Sequence, residues 1–311
     1  MVAPRLLLLL ALGSFGSCGR GPATAASDGA LRVVATCSHD ALTASLRANT
    51  AATLVLSLGG DQAATLAAAA AAGRSQQPFL VTVGGRPRSG TLPDAWVEAP
   101  SGAEVAVDLA LLACAGAPPT PTTYSIGART WDAANRAAGG APTLAPADVI
   151  IAMLRQQRAD VLTARPPQGG RHRIAFVAAA DEHAAQRTEV RDAAAKYEHV
   201  ELVEAGSAAD AVAAGAQSLI LATGEPRVTR EALATAASVV VLDPMLQGAP
   251  GACRIGCAPE TAARAAAARI RALLPEGGDL VVCGPDGDDA WAQATRDAIV
   301  AALGIASASV R

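Results

Sequence analysis

The chain has few aromatic side chains and almost no lysine. Aromatic residues make up 3% of its 311 residues, and Lys196 is its one lysine, so arginine carries the positive charge. A surface that binds ligands mainly by aromatic stacking is therefore not expected. The formal net charge of −3 leaves no basic footprint of the kind that nucleic-acid binding requires, so we expect no nucleic-acid partner.

The motifs of several common catalytic folds are also missing. The sequence has no G-x-S-x-G, no Walker A motif and no G-x-G-x-x-G after a predicted strand. Its four histidines are widely spaced, and Cys253 and Cys257 have no second pair at the spacing of a zinc site. We therefore predict a non-catalytic protein without cofactor or metal, and an extracytoplasmic hydrolase is the least favoured class.

The amino terminus has the pattern of a signal peptide. Met1–Arg5 carries one positive charge, and Leu6–Leu12 is an apolar run too short to cross a bilayer. Two processing routes stay open. In the first, Phe15–Cys18 is a lipobox and Cys18 becomes a lipid-modified amino terminus. In the second, cleavage follows Ala23–Ala25. We favour the first because Cys18 closely follows the apolar run, and both predict a periplasmic or other extracytoplasmic location.

Short apolar runs alternate with alanine-rich helical segments from Leu31 onwards. The predicted strands are Leu31–Thr36, Thr53–Leu58, Phe79–Val83, Asp94–Val97, Arg173–Ala178, Val200–Glu204, Ser218–Ala222, Ser238–Leu242 and Asp279–Cys283. The predicted helices are Gln62–Ala72, Ala184–Tyr197, Ala208–Ala214, Thr229–Ala236, Thr261–Leu274 and Asp289–Leu303. Buried strands that alternate with helices indicate an α/β fold with parallel sheets covered on both faces.

A different pattern occupies the middle of the chain. Tyr124–Trp131 is predicted as one strand, Ala145–Leu162 as an amphipathic helix, and Arg165–Gly170 as a flexible joint. A fresh strand begins directly after this joint. The joint therefore divides the chain near its middle.

From Arg173 onwards the strand pattern resembles the first lobe of the type 1 periplasmic binding protein family, which includes ribose-binding proteins. Arg173–Val177 resembles the opening strand of that family, and Asp279–Gly284 resembles its crossover into the second lobe. Leu31–Thr36, at the front of this chain, resembles the strand that would follow. Further segments with the same resemblance are Ala52–Ala63, Pro78–Gly85, Asp94–Pro100, Ser218–Ala222, Ser238–Asp243 and Cys253–Arg264.

The resemblance implies two Rossmann-like lobes with doubly wound parallel sheets, an interlobe cleft and a circularly permuted order. The implied parts are a leader and tether (1–30), one lobe (31–99 with 279–311), a crossover strand and helix (100–164), a linker (165–170) and the other lobe (171–278). Permutation is physically inexpensive when chain ends lie close together at the surface. The alternative is a tandem duplication of βαβ units in natural order. Permutation predicts that Leu31–Thr36 pairs with Asp279–Cys283 in one sheet.

Ligands of two-lobed α/β proteins bind outside the carboxyl ends of the strands. Asp243 ends a predicted strand there, and the resemblance implies that its carboxylate accepts hydrogen bonds from a sugar-like ligand. The alternative is a turn formed by Asp243 and Pro244. Glu182 and His183 follow another strand, where the alternative is the solvated start of a helix.

Three further residues are ligand candidates. Glu98 falls where the family often has a polar amide, Arg296 approximates the family's arginine on the crossover helix, and Trp291 could stack on a ligand ring. The alternatives are a solvent-facing ion pair for Arg296 and a core position for Trp291. Gly60 and Gly84 stand where the family has polar side chains, so the implied sugar-binding set is incomplete.

Together these features predict an extracytoplasmic solute-binding protein. Its two lobes would close on a small polar, sugar-like molecule and serve the permease of an ABC-type importer, while a lipid on Cys18 holds the protein at a membrane. The alternative is a membrane-anchored sensor or interaction protein with a degenerate binding-protein fold.

Five cysteines follow Cys18, which is an odd number, so at least one thiol has no partner within the chain. The permuted topology makes the strands of Cys37 and Cys283 neighbours, about 4.8 Å apart and within disulfide reach. Either a disulfide or two buried thiols would fit this arrangement, and the sequence leaves both open.

Overall fold

The computed structural model describes residues 30–59, 62–73, 76–84, 93–117, 123–132, 152, 155–156, 158–166, 170–179, 183–235, 238–246, 250–284 and 289–305. The strands are β1 (Leu31–Ser38), β2 (Leu54–Leu58), β3 (Phe79–Gly84), β4 (Ala95–Glu98), β5 (Thr123–Ser125), β6 (Arg129–Asp132), β7 (His172–Val177), β8 (Val200–Ala205), β9 (Ser218–Leu221), β10 (Val239–Leu242), β11 (Cys253–Gly256) and β12 (Gly278–Gly284). The helices are α1 (Leu42–Ala48), α2 (Gln62–Ala71), α3 (Ala103–Cys114), α4 (Ala159–Leu162), α5 (Ala184–Ala194), α6 (Ala208–Ala213), α7 (Pro226–Thr235), α8 (Pro259–Leu273) and α9 (Ala290–Leu303).

The strands form two six-stranded sheets. The first sheet has the order β1-β12-β2-β3-β4-β6, and the second sheet has the order β5-β11-β10-β9-β7-β8. All neighbouring strands are parallel except β4 and β6, which are antiparallel. The predicted α/β class with mostly parallel sheets is therefore confirmed, and the architecture is compatible with two Rossmann-like lobes.

The pairing predicted between the two ends of the chain is also confirmed. β1 lies beside β12 in the first sheet, with Leu31 opposite Gly278 and Cys37 opposite Cys283. If β12 is counted as the first strand of its sheet and β1 as the second, five strands of the first sheet have the order 2-1-3-4-5. The second sheet has the same order when β7 is counted as its first strand.

Two helices cross over: each follows a strand of one sheet but packs on the other sheet. Helix α3 follows β4 of the first sheet, but its buried side chains belong to the hydrophobic core of the second sheet. Helix α8 follows β11 of the second sheet and packs on the first. Residues 171–278 were predicted to form one lobe, whereas α8, within this range, lies on the other sheet.

The segment predicted as a single strand, Tyr124–Trp131, is in fact two strands. β5 pairs with β11 in the second sheet, and β6 pairs with β4 in the first. The prediction was wrong because the buried residues Ile126 and Ala128 carry the chain from one sheet to the other. The Ile126 amide donates a hydrogen bond to the Gly256 carbonyl at 2.9 Å, which fixes the start of this crossing.

The turn before α3 requires a glycine. Gly102 has a φ of 80°, in the left-handed region, and precedes the first residue of the helix. A Cβ atom at Gly102 would lie 2.4 Å from Cγ2 of Ile255 and 2.8 Å from Cδ1 of Ile126. The backbone thus approaches the second sheet more closely than any side chain would allow.

The other predicted elements agree with the structure to within a few residues, and α1, α3 and β11 are additions to the elements listed above. The predicted helix Ala145–Leu162 lies largely outside the described residues, and its final turn is α4. No helix among the described residues is both long and apolar enough to cross a membrane.

Candidate ligand-binding cleft

A cavity of about 230 Å³ lies where the carboxyl ends of strands from both sheets meet. The chain after β3 and β4 and the start of α9 line it from the first sheet. The ends of β10 and β11 and the first turn of α5 line it from the second. Its lining residues are Gly84, Ala99, Pro100, Ser101, Gln186, Pro244, Gly256, Cys257, Asp289 and Trp291. This position is where open α/β sheets bind their ligands.

Trp291 connects the two sides of the cavity. Its indole Nε1 donates a hydrogen bond to the carbonyl of Cys257, with a distance of 2.9 Å. Its partly buried ring also packs against the hydrophobic core of the first sheet. Trp291 was predicted either to contact a ligand or to belong to the core. Its side chain packs against the core and lines the cavity at the same time, so the two interpretations are compatible.

Gln186 lines the cavity, and its side chain contains a buried polar atom. It lies in the first turn of α5, and its Oε1 atom is buried without a hydrogen-bond partner among the described residues. Buried polar atoms in proteins are nearly always satisfied, because an unmade hydrogen bond costs about 1–3 kcal/mol.

The other polar groups of the cavity rim hold the backbone. The Asp289 carboxylate accepts a hydrogen bond from the Ala292 amide at 3.0 Å and so caps α9. The Ser101 hydroxyl accepts from the Ala103 amide at 3.2 Å. The described lining contains one carboxylate and no arginine or lysine. Its charge therefore disfavours anionic ligands.

Asp243 lies beside this cavity and is part of a turn. Its Oδ1 accepts a hydrogen bond from the Met245 amide at 2.9 Å, and its own amide donates to the Ile255 carbonyl. The carboxylate is buried against Gly224, where a Cβ atom would lie 2.3 Å from Oδ2. This geometry is that of the turn that the sequence analysis left as the alternative. Its neighbour Pro244, rather than Asp243 itself, lines the cavity.

Glu98 is also held by its neighbours. Its Oε2 accepts from the indole of Trp131 at 3.3 Å, and its Oε1 lies 3.8 Å from a guanidinium nitrogen of Arg129. Trp131 in turn stacks on Trp96, with 5.6 Å between the ring centres. Glu98 thus joins β4 to β6 and does not line the cavity.

The remaining predicted ligand residues are dispersed. Arg296, on α9, forms an ion pair with its neighbour Asp297 at 3.0 Å, outside the cavity lining. His183 precedes α5 and makes no capping hydrogen bond with its side chain. Glu182 and Cys18 lie outside the described residues.

Of the residues proposed from the sequence as ligand contacts, Trp291 is the one that lines the described cavity. Sequence reasoning did not single out Ser101, Gln186 or Cys257 as contacts. Ser101 and Cys257 closely follow the ends of β4 and β11, and Gln186 lies in the first turn of the helix after β7, which was the available signal. That signal does not tell which of several adjacent residues turns toward the cleft.

No known protein-family model matches the chain, and no curated protein sequence is similar to it.

Proposed function

We propose that this protein binds a small polar solute in the cavity between its two sheets, with the architecture of a circularly permuted, two-lobed binding protein. The observation that carries the proposal is a cavity at the carboxyl ends of parallel strands from both sheets, whose lining includes the polar residues Ser101, Gln186 and Asp289. The pairing of β1 with β12 and the equal strand order of the two sheets support the permuted architecture.

The cavity favours a ligand with few atoms and with hydrogen-bond donors. Its volume of about 230 Å³ lies below the 300–1,000 Å³ typical of pockets for drug-sized molecules. The Gln186 oxygen accepts hydrogen bonds, and Asp289 contributes negative charge. A neutral polyol or a small amine satisfies these groups, whereas a carboxylate or a phosphate would be repelled.

The proposed mechanism is a shift in population between open and closed arrangements of the two sheets. The ligand contacts Gln186 from one side and the Asp289–Trp291 segment from the other, so it binds best when both sides are close. The segments that pass between the sheets, before α3, between β5 and β6 and before α8, would act as the hinge. Delivery to an importer and a lipid anchor on Cys18 are parts of the same proposal.

Native mass spectrometry of the purified protein, followed by calorimetry, tests this function. Any co-purified ligand is identified first, and ribose, 1,4-diaminobutane and succinate are then titrated as a polyol, a cation and an anion. We expect the polyol or the diamine to bind and succinate not to bind. Gln186→Leu should weaken that binding about tenfold, which is the loss expected for one hydrogen bond of about 1.4 kcal/mol.

Gln293→Leu provides the matched control, because Gln293 is exposed on α9 and is not a lining residue. Equal affinities for Gln186→Leu and the unchanged protein would reject the assignment of the site. A cavity that binds none of the three compounds and carries no co-purified ligand would favour the sensor hypothesis.

A further inference from the structure

Cys37 and Cys283 lie side by side in the first sheet. They are register partners on β1 and β12, which are adjacent parallel strands. Neighbouring strands are about 4.8 Å apart, which falls within the 4.4–6.8 Å range of Cα separations in disulfides. Both side chains belong to the same hydrophobic cluster beneath α1, so they point to the same face of the sheet. Both are thiols in the structure.

The two thiols differ in accessibility and in reactivity. Cys283 is fully buried, whereas Cys37 is partly exposed. A hydrogen bond from Cys283 lowers the pKa of Cys37 to about 7, against the opposing effect of burial, and Ser45 contributes a smaller lowering. A large share of Cys37 is therefore thiolate at neutral pH, and the thiolate is the nucleophilic form. In contrast, burial raises the pKa of Cys114 to about 12.

We propose that Cys37 and Cys283 form a redox-active pair in which Cys37 attacks and Cys283 resolves. The Cys37 thiolate attacks one sulfur of a small disulfide oxidant, which forms a mixed disulfide and releases one thiol after protonation. Cys283 then loses its proton and attacks the Cys37 sulfur, which releases the second thiol. The protein loses two electrons and two protons, and the oxidant gains both.

The position of the pair gives the reaction a structural effect. A bond between residues 37 and 283 joins β1 covalently to β12 at the carboxyl ends of both strands. β12 ends at Gly284, and the chain continues to Asp289 and Trp291 at the cavity. Oxidation therefore fixes the strand that leads into the cavity rim. The proposal does not depend on solute binding, because it concerns only the first sheet.

The test uses the full chain, reduced and then incubated with oxidised glutathione while folded. Alkylation and non-reduced peptide mapping follow. We expect a peptide that links Cys37 to Cys283, while Cys114 stays alkylatable. In Cys283→Ser, Cys37 should be trapped as a stable mixed disulfide with glutathione. In Cys37→Ser, Cys283 should stay unmodified, because it is buried. Cys114→Ser is the matched control and should still form the linked pair.

Two results would overturn the proposal. One is the recovery of Cys37 and Cys283 as alkylated thiols after oxidation of the folded protein. The other is a persistent mixed disulfide on Cys37 in the unchanged protein, which would show that Cys283 does not resolve it. Oxidation in denaturant serves as a reference and should lose the preference for this pair.

Discussion

The two helices that change sheets are held in different ways. Helix α8 packs on the first sheet through small side chains, and Ile270 is its largest fully buried residue. Its described polar contacts to the first sheet lie at the edge, where Arg269 bonds to Asp132 at 2.7 Å and to the Thr130 hydroxyl at 3.1 Å. Alanines allow the helix to approach the sheet closely, so the contact depends on shape.

Helix α3 packs on the second sheet through apolar side chains and has a charged network beside this contact, toward the residues that follow α5. Asp108 is 6% exposed, accepts from the Tyr197 hydroxyl at 2.6 Å and pairs with Arg155. Glu104, one turn earlier, pairs with Lys196 at 2.5 Å and with Arg155 at 3.3 Å. A polar network of this kind fixes direction and register, because each partner has one position that satisfies it. Both helices therefore pack on their sheets through apolar side chains, and α3 adds a buried charged network to this contact.

The largest expected effect concerns the apolar contact. Ile270→Ala should lower the free energy of unfolding by about 3–4 kcal/mol, because it removes a fully buried side chain and leaves a cavity between α8 and the first sheet. Ile270→Val should cost about 1 kcal/mol. Chemical denaturation measures both. Equal, small losses for the two variants would show that α8 is not packed as tightly as described.

A smaller effect separates the two ends of α3. Gly102 and Gly116 have nearly equal φ angles, 80° and 81°, but a Cβ atom would clash at Gly102 and meet open space at Gly116. An alanine is therefore expected to strain the backbone equally at both positions, whereas a steric clash is expected only at Gly102. Gly102→Ala should destabilise the protein by about 1–3 kcal/mol more than Gly116→Ala, measured by chemical denaturation. Equal losses would place the start of α3 farther from Ile255.

The smallest effect is a pair of opposite pH dependences within the α3 network. Burial raises the pKa of Asp108, so its contribution to stability is lost as pH rises from its unfolded toward its folded pKa. The hydrogen bond from Lys196 lowers the pKa of Glu104, so that contribution is lost as pH falls through its folded pKa. In the unchanged protein these two opposite pH dependences of stability partly cancel.

Two variants should separate these contributions. Lys196→Gln removes the main cause of the lowered Glu104 pKa, so below about pH 4.5, where Glu104 titrates, stability should fall more steeply, or rise less, with increasing pH. Asp108→Asn should change the slope in the opposite direction. The differences should stay below about 1 kcal/mol, because Glu104 is half exposed and screened. Slopes that change in the same direction in both variants would contradict the assignment.

The sequence predicted most of the two sheets because their strands are continuous apolar runs. β2, β9 and β10 are fully buried, and such strands stand out between alanine-rich helices. Tyr124–Trp131 was wrongly predicted as one strand because its apolar residues are buried throughout the crossing. A run of buried residues does not reveal that the chain changes sheets between β5 and β6.

The site was less predictable than the fold. Asp243 and Glu98 were chosen as polar residues at strand ends, but local partners occupy them, namely the Met245 amide for Asp243 and Trp131 with Arg129 for Glu98. Strand-end position can be inferred from sequence. Whether a carboxylate turns back onto its own backbone or outward depends on contacts such as the close approach of Gly224 to Asp243, and these arise only in the folded chain.

The placement of β12 has a consequence for the order in which the two sheets fold. β12 lies between β1 and β2, although nearly the whole chain separates it from them in sequence. The strands β7 to β11 follow one another closely, so the second sheet can assemble from neighbouring segments. The first sheet depends on contacts of very high sequence separation, which form slowly. Until β12 is in place, β1 and β2 keep open edges that can pair with wrong partners.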